Sequence, residues 1–283
     1  MSIEFRLLKG IPLCDLAQAF NRSFSDYMIP LQLSEEQLAK KMKNDGVNLE
    51  ISAGAFINDE LIGFILHGEG KFNGKATAYN GGTGVIPSMR GNQITKRLYE
   101  YILPILKDVK LEQSVLEVIS SNSGAIKVYE SLDFEQTRKL ICFKGAVSKE
   151  TSGLPESFTL NEPDSIGSVN SKDFCDWTPS WQNSWEAIER SGADLKIITV
   201  EKNEEPVAYI IYSPITSRIS QFAVKNEFRN QGIGTLLFQE LYKRTDKDLS
   251  IINVDSKAFK SISFLKALGL KASITQYEML KKF

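Results

Sequence analysis

The strongest constraint on the fold of this chain is an internal repeat. Residues 85–95 align with residues 224–234 without a gap, and a Val, an Arg and an Ile coincide in the two segments. A further segment follows each copy, 116–134 in the first half and 251–270 in the second, and each reads as a strand followed by an amphipathic helix. Two diverged copies of one domain explain this repetition, and 283 residues are enough for two ordinary domains.

The second copy contains a glycine-bearing loop, residues 229–235, between an apolar strand-like run and a helix-like run. The first amides of a helix have no partner within the helix, and the helix dipole adds partial positive charge there. Phosphate groups bind well at such a terminus. Because Gly232 and Gly234 lack side chains, the backbone can approach an anion closely. The loop therefore predicts a phosphate site, with a plain strand-to-helix turn as the alternative.

Two motifs connect the chain to a known family. Arg229, Gly232 and Gly234 match Arg/Gln-x-x-Gly-x-Gly/Ala, which resembles the acyl-CoA pyrophosphate loop of the GNAT N-acetyltransferase superfamily. In the first half, residues 122–134 read Asn-x-x-Ala-Ile-x-x-Tyr-Glu-x-x-x-Phe. That segment resembles the GNAT segment that lines the pantetheine arm and carries a tyrosine near the thioester. The resemblance covers nearly the whole chain and indicates a tandem, two-copy member.

The resemblance implies an α/β (α+β) fold with two tandem GNAT-like domains, each a mixed, mostly antiparallel central sheet flanked by helices. The repeat predicts an N-terminal GNAT domain at 1–147 and a C-terminal GNAT-like domain at 156–283. The intervening linker, 148–155, is polar and poor in helix-forming residues, as flexible connections are.

The resemblance also implies an acetyl-CoA-dependent N-acetyltransferase, in which a primary amine attacks the thioester directly. A CoA-binding or acyl-CoA-binding regulatory or sensor protein without turnover is the alternative, because neither copy is complete. Gln93 and Thr95 replace the loop glycines in the first copy, whereas Leu265 and Ala258 replace the tyrosine and asparagine in the second. One copy is therefore expected to be degenerate, with catalysis in the first half and the better pyrophosphate loop in the second.

The resemblance leaves open which copy binds acetyl-CoA. The residues of both loops are therefore predicted as cofactor-binding residues. In the first half the predicted cofactor-binding residues are Val85, Arg90, Gly91, Asn92, Gln93, Ile94, Thr95 and Asn122. In the second half they are Val224, Arg229, Asn230, Gln231, Gly232, Ile233, Gly234 and Thr235. The side chains of Gln93 and Thr95 would either crowd a pyrophosphate or hydrogen-bond it.

The resemblance places Tyr129 near the thioester, where a phenol ~3 Å from the sulfur can give the leaving thiolate a proton. Glu117 lies on a strand beside the expected cleft and is the predicted base for the attacking ammonium. Asp26 and Tyr27 follow the first helix, which covers the acceptor site in the family, and they are the predicted substrate residues. Each residue also has a structural alternative. Tyr129 and Tyr27 would be core residues, Glu117 would be a surface residue of its strand, and Asp26 would be a turn residue.

Trp177, Trp181 and Trp185 recur every four residues, which predicts one stripe on a helix. Aromatic residues at this spacing usually belong to a core or a domain interface. A docking surface for a protein partner is the functional alternative.

Composition excludes several classes of function. The net charge is −1 with both signs interspersed, which argues against a nucleic-acid binder. His67 is the only histidine, so a multi-histidine site is excluded and no metal is expected. The three distant cysteines read as reduced cytosolic thiols, and no run approaches the ~18 apolar residues of a membrane span. We expect a cytoplasmic monomer or homodimer that acts on a small-molecule or peptide amine.

Overall fold

In a computed structural model of the protein, residues 2–27, 31–148, 153, 157–169, 174 and 176–283 are described. The chain divides into two compact units. One consists of Met1–Thr137 together with Tyr277–Phe283, and the other of Arg138–Gln276. No helix in the described part of the chain is both long enough and apolar enough to cross a membrane.

The first unit is built on strands in the spatial order β1-β2-β3-β4-β5. Its elements are β1 (Glu4–Leu7), α1 (Leu13–Ser23), α2 (Glu35–Asp45), β2 (Ala53–Ile57), β3 (Glu60–Phe72), β4 (Lys75–Val85), α3 (Ile94–Asp108), β5 (Gln113–Ile119) and α4 (Ser123–Glu130). Neighbouring strands are antiparallel except β4 and β5, which are parallel. The mixed, mostly antiparallel sheet that the resemblance implied is therefore confirmed.

The second unit repeats this design with the strand order β6-β11-β10-β9-β8-β7. Its elements are β6 (Glu135–Gly145, entering from the first unit), β7 (Thr159–Asn161), α5 (Trp185–Ser191), β8 (Lys196–Lys202), β9 (Glu205–Tyr212), β10 (Arg218–Val224), α6 (Ile233–Thr245), β11 (Leu249–Asp255), α7 (Phe259–Ala267) and the first part of β12 (Lys271–Lys282). Its parallel pair is β10 and β11, and α6 follows β10 as α3 follows β4.

Both units contain the same irregularity in the strand that precedes the loop. The β3–β4 register shifts between Leu66 and His67, so that Gly81 is the extra residue of a bulge. The β9–β10 register shifts at the equivalent place, around Ser220. In the first unit the parallel pairing of β4 with β5 ends at Asn80, although β4 continues to Val85. The two strands part there, and their carboxyl ends leave room for a cavity.

The end of β12 belongs to the first unit. Met279 is fully buried in the core cluster that contains the apolar face of α3. The hydroxyl of Thr137 donates to Oε1 of Glu278 at 2.9 Å, and the amide of Phe283 donates to the carbonyl of Glu112 at 2.9 Å. The compact units therefore differ from the division predicted along the chain, because residues 138–147 pack in the second unit and the last strand completes the first.

The predicted domain boundaries follow the repeat and stay a prediction, whereas the compact units describe packing. Most of the predicted linker, 148–155, lies outside the described residues. At the start of α2 the capping box is present, because Ser34 Oγ accepts from the Gln37 amide and the Gln37 side chain accepts from the Ser34 amide.

The predicted tryptophan stripe is wrong. Trp181 begins a short 3-10 turn, Trp181–Asn183, and Trp185 begins α5. Ser184 separates the two segments as the N-cap of α5, accepting a hydrogen bond from the Ala187 amide at 3.2 Å. Trp181 is 1% exposed and therefore buried, which removes it from any docking surface.

Candidate active site

A cavity of about 970 Å³ lies in the first unit where β4 and β5 part, a volume suited to a cofactor-sized ligand. Its wall is formed by the segment after α1, the carboxyl end of β4, the loop into α3, and the start of α4. The lining residues are Ser23, Phe24, Asp26, Tyr27, Thr83, Gly84, Val85, Met89, Arg90, Gly91, Gln93, Ile94, Thr95, Lys96, Ser121, Asn122, Ser123, Gly124, Ala125, Lys127, Val128, Tyr129 and Ser131. Among the residues predicted in this half, Asn92 and Glu117 do not line it.

The two loops have the same backbone conformation despite their different glycines. Gly91 has φ +81° and Asn230, its counterpart in the repeat, has φ +60°. Gln93 has φ +56° where Gly232 has φ +80°. The loss of a motif glycine at Gln93 therefore leaves the loop in the left-handed conformation that the motif requires.

The cavity receives the uncapped start of α3. No side chain caps the first turn of this helix, which begins at Ile94 after Gln93. Its first amides have no partner within the helix, and Ile94, Thr95 and Lys96 all line the cavity. By contrast, Asn122 caps α4, because its Oδ1 accepts from the Ala125 amide at 3.1 Å. The free donors that suit an anion are therefore those of α3.

Arg90 connects the loop to the segment that follows α1. Its two terminal nitrogens each donate to one carboxylate oxygen of Asp26, both at 2.7 Å. The same guanidinium donates to the carbonyls of Ser23 at 2.9 Å and Val85 at 3.2 Å. Hydrogen bonds from Arg90 lower the pKa of the Asp26 carboxyl. These contacts favour a structural clamp for both residues over their predicted roles in binding cofactor and substrate.

The second unit contains the same clamp. Arg229 donates to the carbonyl of Val224 at 2.8 Å and to Asp176 at 2.7 Å, and reaches the carbonyl of Phe174 at 3.5 Å. Here Ser261, on α7, also donates to Asp176 at 2.9 Å. Because the arginine is engaged alike in both units, the clamp follows from the shared fold.

Tyr129 lies on α4, packs its ring in the core and lines the cavity. It is 8% exposed, and its ring packs edge-on against Phe134 at 5.8 Å between centroids. Burial raises the pKa of the Tyr129 phenol, while hydrogen bonds with Thr83 and Asn80 act in the opposite direction. The phenol therefore keeps its proton at neutral pH and can act as an acid.

Among the residues that the structure describes, aromatic rings occupy the corresponding space of the second unit. Phe222 packs against Phe238 and Phe264 at centroid distances of 5.0 and 6.0 Å, and Trp177 lies 6.0 Å from Phe222. Leu265, at the position that Tyr129 has in the first unit, is fully buried in the same core. A cavity of only about 20 Å³ lies against Trp177 and Phe222.

Gly234 of the second loop packs against this aromatic cluster. A Cβ atom at this position would lie 3.1 Å from Cζ of Phe264 and 3.6 Å from Val224. Its counterpart Thr95 carries a side chain that lines the cavity of the first unit. Glycine at 234 is therefore explained by packing in the second unit, without a ligand.

The chain matches the family model of the Acetyltransferase (GNAT) family over residues 14–134 and 165–270. It belongs to the GNAT family. No curated protein matches the sequence. The two matched regions fall one in each half, so the two-copy organisation inferred from the repeat is confirmed.

Solved structures of GNAT proteins, one of them a tandem protein, have the same fold. A tandem GNAT protein from the clavulanic acid biosynthesis pathway has a TM-score of 0.75 at 12% identity, with 99% of this chain and 98% of that chain covered. A GCN5-related N-acetyltransferase from Sphaerobacter thermophilus has a TM-score of 0.71 at 12% identity, with 99% and 95% covered. One from Kribbella flavida has a TM-score of 0.63 at 13% identity, with 99% and 72% covered.

In this GNAT protein, several cavity residues were missed by sequence reasoning. Lys96, in the first turn of α3, and Lys127, in the last turn of α4, add positive charge to the cavity wall. Thr83 lines the cavity and Asn80 and Tyr99 support it from behind. None of these belongs to a short motif. Asn80, Thr83 and Tyr99 could have been identified by aligning the two copies, because the second copy has apolar residues at their positions.

Glu117 has a different neighbour from the one predicted. The hydroxyl of Tyr79 donates to Oε2 of Glu117 at 2.6 Å, which joins the parallel strands β4 and β5. Since Glu117 does not line the cavity, this geometry gives no support to its predicted role as the base.

Proposed function

We propose that the protein is an acetyl-CoA-dependent N-acetyltransferase whose first unit binds the cofactor and catalyses transfer to a primary amine. The observation that carries this proposal is that the uncapped start of α3 and Tyr129 line one cavity. The second unit keeps the loop but fills the equivalent space with Phe222, Phe238 and Phe264, and we assign it a scaffold role.

The cavity residues fit acetyl-CoA on two grounds. Gly91 has open space where a Cβ would stand, with no atom within 4 Å, so a phosphate can approach the backbone there. Lys96 and Lys127 supply positive charge at the same wall, and charged donors bind phosphate oxygens strongly. We propose that the amides at the start of α3 bind the pyrophosphate and that the two lysines neutralise its negative charge. When bound, acetyl-CoA supplies the activated thioester.

The chemistry needs one proton donor in this cavity. The amine nitrogen attacks the thioester carbonyl carbon, and the carbon–sulfur bond breaks as the amide forms. The amine attacks in its neutral form, and its nitrogen loses one proton to solvent as the amide forms. Tyr129 gives its phenolic proton to the departing sulfur, and a proton from solvent then restores the phenol. No covalent intermediate on the protein is required.

The test compares Tyr129→Phe with wild type in the release of CoA thiol from acetyl-CoA in the presence of a panel of amines. We expect wild-type release to rise with at least one amine, and the variant to be at least ~100-fold slower with unchanged acetyl-CoA affinity. Tyr242→Phe, on α6 of the second unit, is the matched control and should keep the wild-type rate. Cofactor binding without release for any amine would instead establish a sensor.

A further inference from the structure

A group of hydrogen-bonded polar side chains lies behind the cavity wall. The amide nitrogen of Asn80 donates to the hydroxyl of Tyr99 at 2.6 Å and to that of Thr83 at 2.8 Å. The Thr83 hydroxyl donates to Oδ1 of Asn80 at 3.1 Å. The rings of Tyr99 and Tyr129 pack edge to face with their centroids 6.1 Å apart, and Thr83 hydrogen-bonds with Tyr129. Four polar side chains therefore form one connected group, of which only Thr83 and Tyr129 line the cavity.

This group is buried in an apolar core. Asn80 is 6% exposed and Tyr99 is fully buried, and the surrounding cluster includes Ile94, Leu98 and Ile102. Burying polar groups costs free energy unless every one is hydrogen-bonded. These buried polar groups therefore add little to the stability of the core, which suggests that they are present for another reason.

The second unit shows that the fold does not need them. At the equivalent positions of the repeat it has only apolar residues, namely Ile219 for Asn80, Phe222 for Thr83, Phe238 for Tyr99 and Leu265 for Tyr129. These residues form a continuous core with α6 and α7. The polar set is present as a whole in one unit and absent as a whole from the other, which indicates that its members act together.

We propose that Asn80, Thr83 and Tyr99 are positioning residues that hold the Tyr129 hydroxyl at the cavity wall and hydrogen-bond its oxygen after it has given up its proton. Asn80 anchors Thr83 and Tyr99 through its amide nitrogen. The Thr83 hydroxyl donates to Oδ1 of Asn80, and by rotating it can donate to the phenolate instead. This inference rests on the proposed function, because it assumes that Tyr129 donates its proton during catalysis.

The kinetic test uses Thr83→Val and Tyr99→Phe, each alone and combined with Tyr129→Phe. We expect Thr83→Val to lower kcat about tenfold, as for a lost hydrogen bond to a charged oxygen, with the KM for acetyl-CoA within about twofold. Tyr99→Phe should act in the same direction and less strongly. Neither change should slow an enzyme that already lacks the Tyr129 hydroxyl, whereas full additivity would overturn the proposal. Thr245→Val, on α6, is the matched control.

A second readout does not depend on turnover. In protein with tyrosine labelled with carbon-13 at Cζ, the Tyr129 signal is identified by its loss in Tyr129→Phe. We expect Thr83→Val to move this signal and to shift its alkaline titration to higher pH, because a donor to the phenolate is lost. An unmoved signal and titration would overturn the proposal. Absence of turnover with every amine would count against the proposed function, while the signal would still decide whether Thr83 and Tyr129 are coupled.

Discussion

The two units have matching loops and contrasting interiors. The second loop has both motif glycines, yet Phe264 contacts one of them and aromatic rings fill the space behind. The first loop has Gln93 and Thr95 in place of the glycines, yet it borders a cavity of about 970 Å³. A glycine motif thus reports the backbone conformation of the loop, and the side chains of the neighbouring strand and helices decide whether a ligand has room.

The clamp shows the opposite case, in which a motif residue has one role in both units. Arg90 and Arg229 each bond to the carbonyl at the end of the preceding strand and to an aspartate, Asp26 or Asp176. Because the second unit has the same contact although aromatic rings occupy its interior, the contact does not need a ligand. We attribute the motif arginine in this protein to loop structure.

The largest effect should come from the strand end that completes the first unit. Met279→Ala removes a fully buried side chain from the core around α3, and we expect it to destabilise that unit by about 2–5 kcal/mol. Hydrogen exchange followed by mass spectrometry should show faster exchange in residues 94–130. Lys282→Ala, an exposed change in the same strand, should have no such effect. Faster exchange confined to residues 196–255 would contradict the division into units.

His67 should make the first unit sensitive to acid. Its side chain is fully buried, with Nδ1 3.0 Å from the carbonyl of Ile51 and Nε2 without a partner among the described residues. Burial lowers the pKa of His67 to about 4, against 6.5 for an exposed histidine. The unfolded chain therefore binds the extra proton between these values, so stability falls as the pH drops from about 6.5 to 4.

The loss attributable to His67 should reach about 3 kcal/mol once both states are protonated. Urea denaturation at a series of pH values checks this, with His67→Gln as the comparison. Carboxylates titrate in both proteins, so the difference between their pH profiles isolates the histidine. Parallel profiles would show that the buried ring does not govern acid stability.

A matched pair of charge changes at the two helix starts should separate the loops. Lys96 and Thr235 occupy equivalent positions on α3 and α6. Lys96→Glu should weaken CoA binding roughly 10- to 100-fold, as for a lost charged hydrogen bond. Thr235→Glu should leave the affinity within about twofold. Isothermal titration calorimetry measures both, and the reverse pattern would move the cofactor to the second unit.

The smallest effect should come from the extra hydrogen bond of the second clamp. Ser261 donates to Asp176, whereas the equivalent residue of the first unit is Ala125. Ser261→Ala should destabilise the second unit by about 0.5–1.5 kcal/mol in thermal denaturation. Ala125→Ser should give the first unit a smaller gain, because the Asp26 side chain is 51% exposed against 30% for Asp176 and water competes for its oxygens.

Local and repeated features of this chain could be predicted from its sequence. The strands, the capping box at Ser34 and the two-copy organisation follow from periodicity, from short-range hydrogen bonding and from self-similarity. The segment from Asn122 to Tyr129 was also predicted as part of the site, and both residues line the cavity. Such features depend on neighbours within a few residues, which the sequence shows directly.

The remaining features depend on partners far apart in the chain. The residues next to Asp26 in the sequence do not show that Arg90, 64 residues later, donates to its carboxylate. Gly234 reads as a ligand position until Phe264 is placed against it. The tryptophan spacing predicted a helix because period alone does not reveal that Ser184 interrupts it. In the first two cases tertiary packing decided between interpretations that the local pattern left equal, and in the third a local N-cap did.

The place of the last strand has a consequence for the order of folding during synthesis. A ribosome releases the chain from its amino end, and domains usually fold as units as they emerge. The first unit cannot do so, because Met279 of its core is translated only after the whole second unit. The cavity-bearing unit is therefore completed only after the second unit has been translated, and any product that ends before Met279 lacks part of its core.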